Sequence, residues 1–80
     1  MTIRAEILAA IPAVTARNGS PIFSPQDVVD ELRRRNSPYK ESGIRTHVTS
    51  RMCGNAPDNH AVVYDDLERL GHGQYRLRRR

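Results

Sequence analysis

Three runs of turn-forming residues cut this chain into pieces too short for large elements: Asn18-Gly19, Ser37-Pro38 and Gly54-Asn55-Ala56-Pro57-Asp58-Asn59. Gly and Asn reach left-handed backbone angles and Pro cannot continue a helix, so each run stops the element before it. A further turn, Gly71-His72-Gly73, divides the C-terminal stretch in two. The chain therefore reads as short helices followed by a hairpin.

The first piece, residues 1–17, carries Ile3, Ile7, Leu8, Ile11 and Val14 at spacings of three and four. That is one stripe of an amphipathic helix. Pro12 lies inside it and lacks a backbone donor, which predicts a kink or break. Pro21-Ile22-Phe23 is long enough only for a stub of extended chain. Ser24-Pro25-Gln26-Asp27 then opens a second helix over 24–36. Ser24 can accept from an orphan amide, Pro25 suits the first turn, and Asp27 meets the positive dipole end. Val28, Val29 and Leu32 form its buried side, and Arg33-Arg34-Arg35 reads as a solvated, dipole-compensating end.

Ser37-Pro38-Tyr39-Lys40-Glu41 is a turn, and Ser42 is the expected cap of a third helix over 42–53. Ile44, Val48 and Met52 recur every four positions along it. Residues 60–64 suggest extended chain. Residues 66–78 read as a hairpin, with Tyr75 and Leu77 facing inward and Gln74, Arg76 and Arg78 facing out. Leu32, Ile44, Val48 and Tyr75 are expected to share one core.

Eighty residues with one Phe, three Tyr and no Trp make a thin core. Little apolar surface remains for a small-molecule pocket, which typically needs ~300 Å³ or more. No His or Cys spacing suits a metal, and His47, His60 and His72 lie far apart, so neither a cofactor nor catalysis is expected. His47 fits packing on a helix flank. Asp65, Asp66 and Glu68 fit a turn or strand start better than a metal site. The single Cys53 excludes an intramolecular disulfide and reads as a small buried hydrophobe. No apolar run approaches the ~18 residues of a membrane span and no signal peptide is evident, which points to the cytoplasm.

Thirteen cations against nine acids give a net charge of +4, and all but one of the cations are Arg. Guanidinium forks pair bidentately with phosphates and guanine edges, so the balance suits a polyanion.

The order helix, strand stub, capped helix, turn, polar helix and hairpin resembles the winged helix-turn-helix family. Ser42-Gly43-Ile44-Arg45-Thr46-His47, Arg51-Met52-Cys53, Tyr64 to Arg69 and Gly73-Gln74-Tyr75 are similar to small winged-helix modules. Such modules occur alone or appended to bacterial restriction-type endonucleases. The resemblance implies an α+β, mostly α fold: three helices, a short strand and a C-terminal wing. It also implies a double-stranded DNA partner, with the third helix in the major groove and the wing on the adjacent backbone or minor groove. A nucleoid-associated location and a role in transcription regulation would go with it. The partners to consider besides DNA are a second copy of the chain and a larger DNA-processing protein.

With Ile44, Val48 and Met52 inward, Ser42, Arg45, Thr46, Thr49 and Ser50 fall on the opposite face. All carry groups that bond base edges or phosphates. Arg45 is the base-reading candidate, because Arg to guanine O6/N7 is the commonest specific contact. Thr46 and Thr49 suit a thymine methyl or a phosphate, and Ser42 a phosphate at the helix start. Arg51 lies more laterally, as a phosphate contact or a solvated charge. His72, Gln74 and Arg76 are the wing candidates, and Arg78-Arg79-Arg80 a basic tail for sequence-independent attraction. Two alternatives stay open. One is a reader of a methylated base, with Tyr39 as the nearest aromatic contact. The other is a protein-interaction winged helix that touches no DNA.

Overall fold

Phe23 joins the first half of the chain to its end. Its backbone N–H and C=O exchange two 2.8 Å hydrogen bonds with Tyr75, and its ring is fully buried. The computed structural model describes residues 2–54 and 64–78. In order these form α1 (Ile3–Asn18), α2 (Pro25–Arg34), α3 (Glu41–Thr46), a π-helical turn (His47–Arg51), β1 (Leu67–Gly71) and β2 (Gln74–Leu77). Three helices and a C-terminal antiparallel hairpin make an α+β fold, mostly helical. α1 packs on α2 and α2 on α3, around a core that unites Leu32, Ile44, Val48 and Tyr75 with Ile7, Ile11 and Phe23. Cys53 is fully buried in it. No helix among the described residues is long and apolar enough to cross a membrane.

α1 starts at Thr2, whose hydroxyl accepts from the Ala5 amide at 3.1 Å. Contrary to expectation, it runs unbroken through Pro12. Pro12 is exposed, while Ile7, Ala10, Ile11 and Val14 are buried on both sides of it. Burial of that inner stripe outweighs the one helical bond Pro12 withholds from the Leu8 carbonyl. Gly19, at φ 65°, then closes the helix, with its amide on Ala16 O and that of Ser20 on Thr15 O.

α2 carries a reciprocal cap. The Asp27 amide donates to Ser24 Oγ at 3.1 Å, and the Ser24 amide donates to Asp27 Oδ2 at 2.9 Å. Ser24→Ala is expected to cost about 1 kcal/mol, read as the shift in urea midpoint at unchanged slope. The helix stops at Arg34, short of the expected Asn36. Asn36 adopts φ 57°, and the Asn36 and Ser37 amides turn back to Arg33 O and Leu32 O.

The third helix departs most from the sequence reading. Glu41 opens it, and Lys40 holds the cap position with no side-chain bond, so Ser42 sits within the first turn and caps nothing. Nor does it continue to Cys53. From His47 onward it widens, and the Met52 amide reaches five residues back to His47 O at 2.8 Å. The cause lies in the four-residue spacing of Ile44, Val48 and Met52. An α-helix overshoots by roughly 40° per four residues, whereas a turn closed on the fifth residue takes that drift back. All three side chains therefore reach the core. The Thr46 and Thr49 hydroxyls donate to the carbonyls of Ser42 and Arg45 at 2.8 Å, a pattern that bends helices. Cys53 leaves the helix to form a parallel bridge with Leu67.

In the hairpin, Gly71 belongs to β1, so the turn proper is His72-Gly73, with Gly73 at φ 70°. Arg69 faces Tyr75 and Gly71 faces Gln74, which leaves Leu70 in a bulge. Gln74, Arg76 and Arg78 are exposed as expected and Tyr75 is buried. Leu77 is not: it is 41% exposed, because the twisting ribbon carries it past the edge of the core. Of the expected extended run, residues 60–63 lie outside the described residues, and Tyr64 is in neither strand.

Candidate functional site

The widened helix decides which side chains on its polar side reach solvent. Ser42, Thr46 and Arg51 are exposed, whereas Arg45, Thr49 and Ser50 are partly covered. Ser42, Gly43, Thr46, His47 and Arg51 line one open depression of ≈ 320 Å³. His47 is half-buried on its rim, with Nδ1 2.9 Å from Gly43 O. Arg51, read as lateral in the sequence, is thus more exposed than Ser50.

Ion pairing then sorts the cations. Glu31, only 5% exposed, gathers Arg34 at 2.7 Å, Arg35 at 2.8 Å and Arg17 at 3.2 Å. Glu41 holds Arg33 at 2.8 Å through one oxygen and Arg45 at 2.9 Å through the other. The Gln26 side-chain oxygen accepts a further bond from Arg45 Nη2. On the hairpin, Glu68 takes Arg76 at 2.8 Å and Asp65 takes Arg78 at 2.6 Å. Asp66 receives a two-pronged bond from Arg4, whose guanidinium also lies 4.2 Å from the Tyr64 ring centroid. Asp65, Asp66 and Glu68 are therefore each engaged by an Arg. Lys40 and Arg51, both exposed, make no ion pair with any described residue. Lys40 immediately precedes α3, and Arg51 closes the π-helical turn that follows it.

The Glu31 cluster has a pH signature. The hydrogen bond from Arg35, assisted by Arg34 and the charge of Arg17, holds the Glu31 carboxyl below the usual carboxylate range against the opposing effect of burial. A depressed folded-state pKa adds stability above the unfolded value, near ~4.3, and that stability is lost as pH falls through the folded value. Melting temperatures followed from about pH 6 to pH 3 should fall more steeply for the wild type than for Glu31→Gln. Parallel curves would show that the cluster contributes nothing on folding.

His72 and Gln74 are exposed at the hairpin tip, while Arg76 is shared with Glu68. Tyr39 is half-buried and packs against the core. Arg79 and Arg80 lie outside the described residues. The sequence reading passed over Lys40, Glu41 and Gln26. Glu41 was legible, since Glu and Arg four apart is a helical ion-pair spacing, but a helix begun at Ser42 leaves Glu41 in the turn. Gln26 depends on how α2 crosses α3, which no local pattern encodes.

No curated protein and no solved structure matches this chain. A family model does, over residues 2–77: the chain belongs to the family described as a domain of unknown function, DUF7669.

Proposed function

We propose that this chain is a winged helix-turn-helix domain that binds double-stranded DNA, with α3 in the major groove and the β1–β2 hairpin as the wing. The observation that carries the reading is the charge layout around α3. Lys40, just before α3, and Arg51, at the end of the π-helical turn after it, make no ion pair with a described residue. Ser42 and Thr46 are exposed between them, and the one carboxylate of α3, Glu41, is bound to two arginines. Such a face attracts phosphates at its ends and offers hydrogen-bonding groups between them. The pairing of Phe23 with Tyr75 supports the same architecture, since it joins the hairpin to the strand stub before α2, and the Cys53–Leu67 bridge joins it to the chain just after the π-helical turn.

The roles divide accordingly. Lys40 and Arg51 meet phosphates, Ser42 and Thr46 bond to backbone or base edges, and Arg45 reads a guanine. Thr49 and Ser50 are lateral contacts, and His72 and Gln74 touch the neighbouring backbone. A cytoplasmic, nucleoid-associated location goes with this function. The half-buried position of Tyr39 lends no support to a methyl-reading role.

Titration of labelled duplexes over a series of salt concentrations tests the proposal. Two phosphate contacts predict a log–log slope of about −2 or steeper. A slope near zero rejects DNA binding and favours a protein-interaction domain. A randomised duplex library, with and without methylated bases, reads sequence and modification preference together.

A further inference from the structure

We infer that Glu41 is a specificity-determining positioning residue, which fixes the reading edge of Arg45 and stops Arg45 from serving as a general phosphate contact. This rests on the DNA-binding reading and adds to it a source of discrimination.

The geometry is a three-way clamp. Glu41 Oε2 accepts from Arg45 Nε at 2.9 Å, and Gln26 Oε1 accepts from Arg45 Nη2. Glu41 is itself held from α2, because Oε1 accepts from Arg33 Nη2 at 2.8 Å. A guanidinium carries five N–H donors. The clamp engages Nε and Nη2, and Nη1 makes no bond to a described residue, so Nη1 and the second hydrogen of Nη2 remain to form the end-on fork. Two parallel N–H groups on that fork match the O6 and N7 acceptors of guanine.

Exposed ion pairs add little to stability, and here both side chains are more than a third exposed. What the clamp supplies is orientation. Arg33 and Gln26 come from a different helix, so the Arg45 plane is set by the α2–α3 crossing rather than by its own rotamers. A side chain ordered before binding loses less entropy on docking to the correct base. The carboxylate has a second effect. Glu41, shared with Arg33, offsets part of the Arg45 charge, so random duplex gains less from Arg45 than from a cation with no carboxylate beside it. Arg51 and Lys40 have no such partner among the described residues and attract any sequence.

Two variants separate the effects, each measured on a site selected from the randomised library and on random duplex. Glu41→Gln removes the charge. Random-duplex affinity should rise by roughly 5-fold near 0.15 M salt, with the slope steeper by up to about 0.9. Affinity for the selected site should rise less, so the specificity ratio falls. Gln26→Ala loosens Arg45 without changing charge. Its slope should match the wild type, while the ratio falls toward that of Arg45→Ala, a loss of about tenfold or more. An unchanged ratio in both variants overturns the inference. So does equal weakening on both duplexes with a lowered melting temperature, which would make the clamp a structural pin between helices. A wild-type protein that binds duplex without salt dependence, or not at all, removes the DNA-binding reading itself. That outcome is distinguishable because it appears before any variant is compared.

Discussion

Val48→Asp is expected to leave this chain unfolded in water at room temperature. Val48 is fully buried at the point where α3 widens into the π-helical turn, in one cluster with Ile44, Met52 and Leu32. An aspartate there loses the apolar burial of valine and must be either desolvated as an ion or protonated. Together these cost several kcal/mol, which is comparable with the roughly 5 kcal/mol margin of so small a domain. Circular dichroism should show loss of helix with no cooperative melt. Val48→Ala makes the matched control: it should stay folded, about 2 kcal/mol less stable, with a melting temperature lower by roughly 10 °C. A cooperative, unshifted melt for the aspartate variant would mean that this helix face does not meet the core.

The largest effect on binding is expected from the paired substitution Lys40→Ala with Arg51→Ala. These cations carry no ion pair with a described residue, so their full charge is available to phosphates. If each neutralises one phosphate, loss of both should flatten the log–log salt slope by about 1.8. Counterion release alone then predicts affinity lower by roughly 30-fold near 0.15 M salt, on preferred and random duplexes alike. Arg34→Ala makes the comparison. Arg34 is as basic in sequence but committed to Glu31, so its loss should leave the slope nearly unchanged. Equal slope changes for Arg34 and Arg51 would show that ion pairing within the chain does not govern which cations meet DNA.

That contrast shows where a linear reading of charge stops. Twelve arginines and one lysine are visible in the sequence, but their availability is not. Arg33, Arg34 and Arg35 read as a solvated helix end, whereas two of them close on Glu31 and the third on Glu41. Arg17 joins the Glu31 cluster from α1, and Arg4 reaches Asp66 across 62 positions. The polar face of α3 was legible in kind and misplaced in detail. Ser42, Thr46 and Arg51 are the exposed members, and Thr49 and Ser50 turn partly aside because the helix widens beneath them.

The elements legible in the chain alone are those settled within a few residues. Ser24 and Asp27 cap each other across three positions, Gly19 ends α1 through its own φ, and the glycine-flanked turn brings β2 back on β1. Each involves backbone groups whose partners are fixed by chain geometry, whatever the rest of the molecule does. Tertiary structure decided the remainder. Pro12 is carried inside an intact helix because apolar contacts flank it on both sides. The π-helical turn exists because Val48 and Met52 must both reach a core formed by distant residues. Arg45 points where Gln26 and Glu41 hold it. These outcomes depend on which surfaces meet, and burial and ion pairing reward contacts between positions that no local period relates.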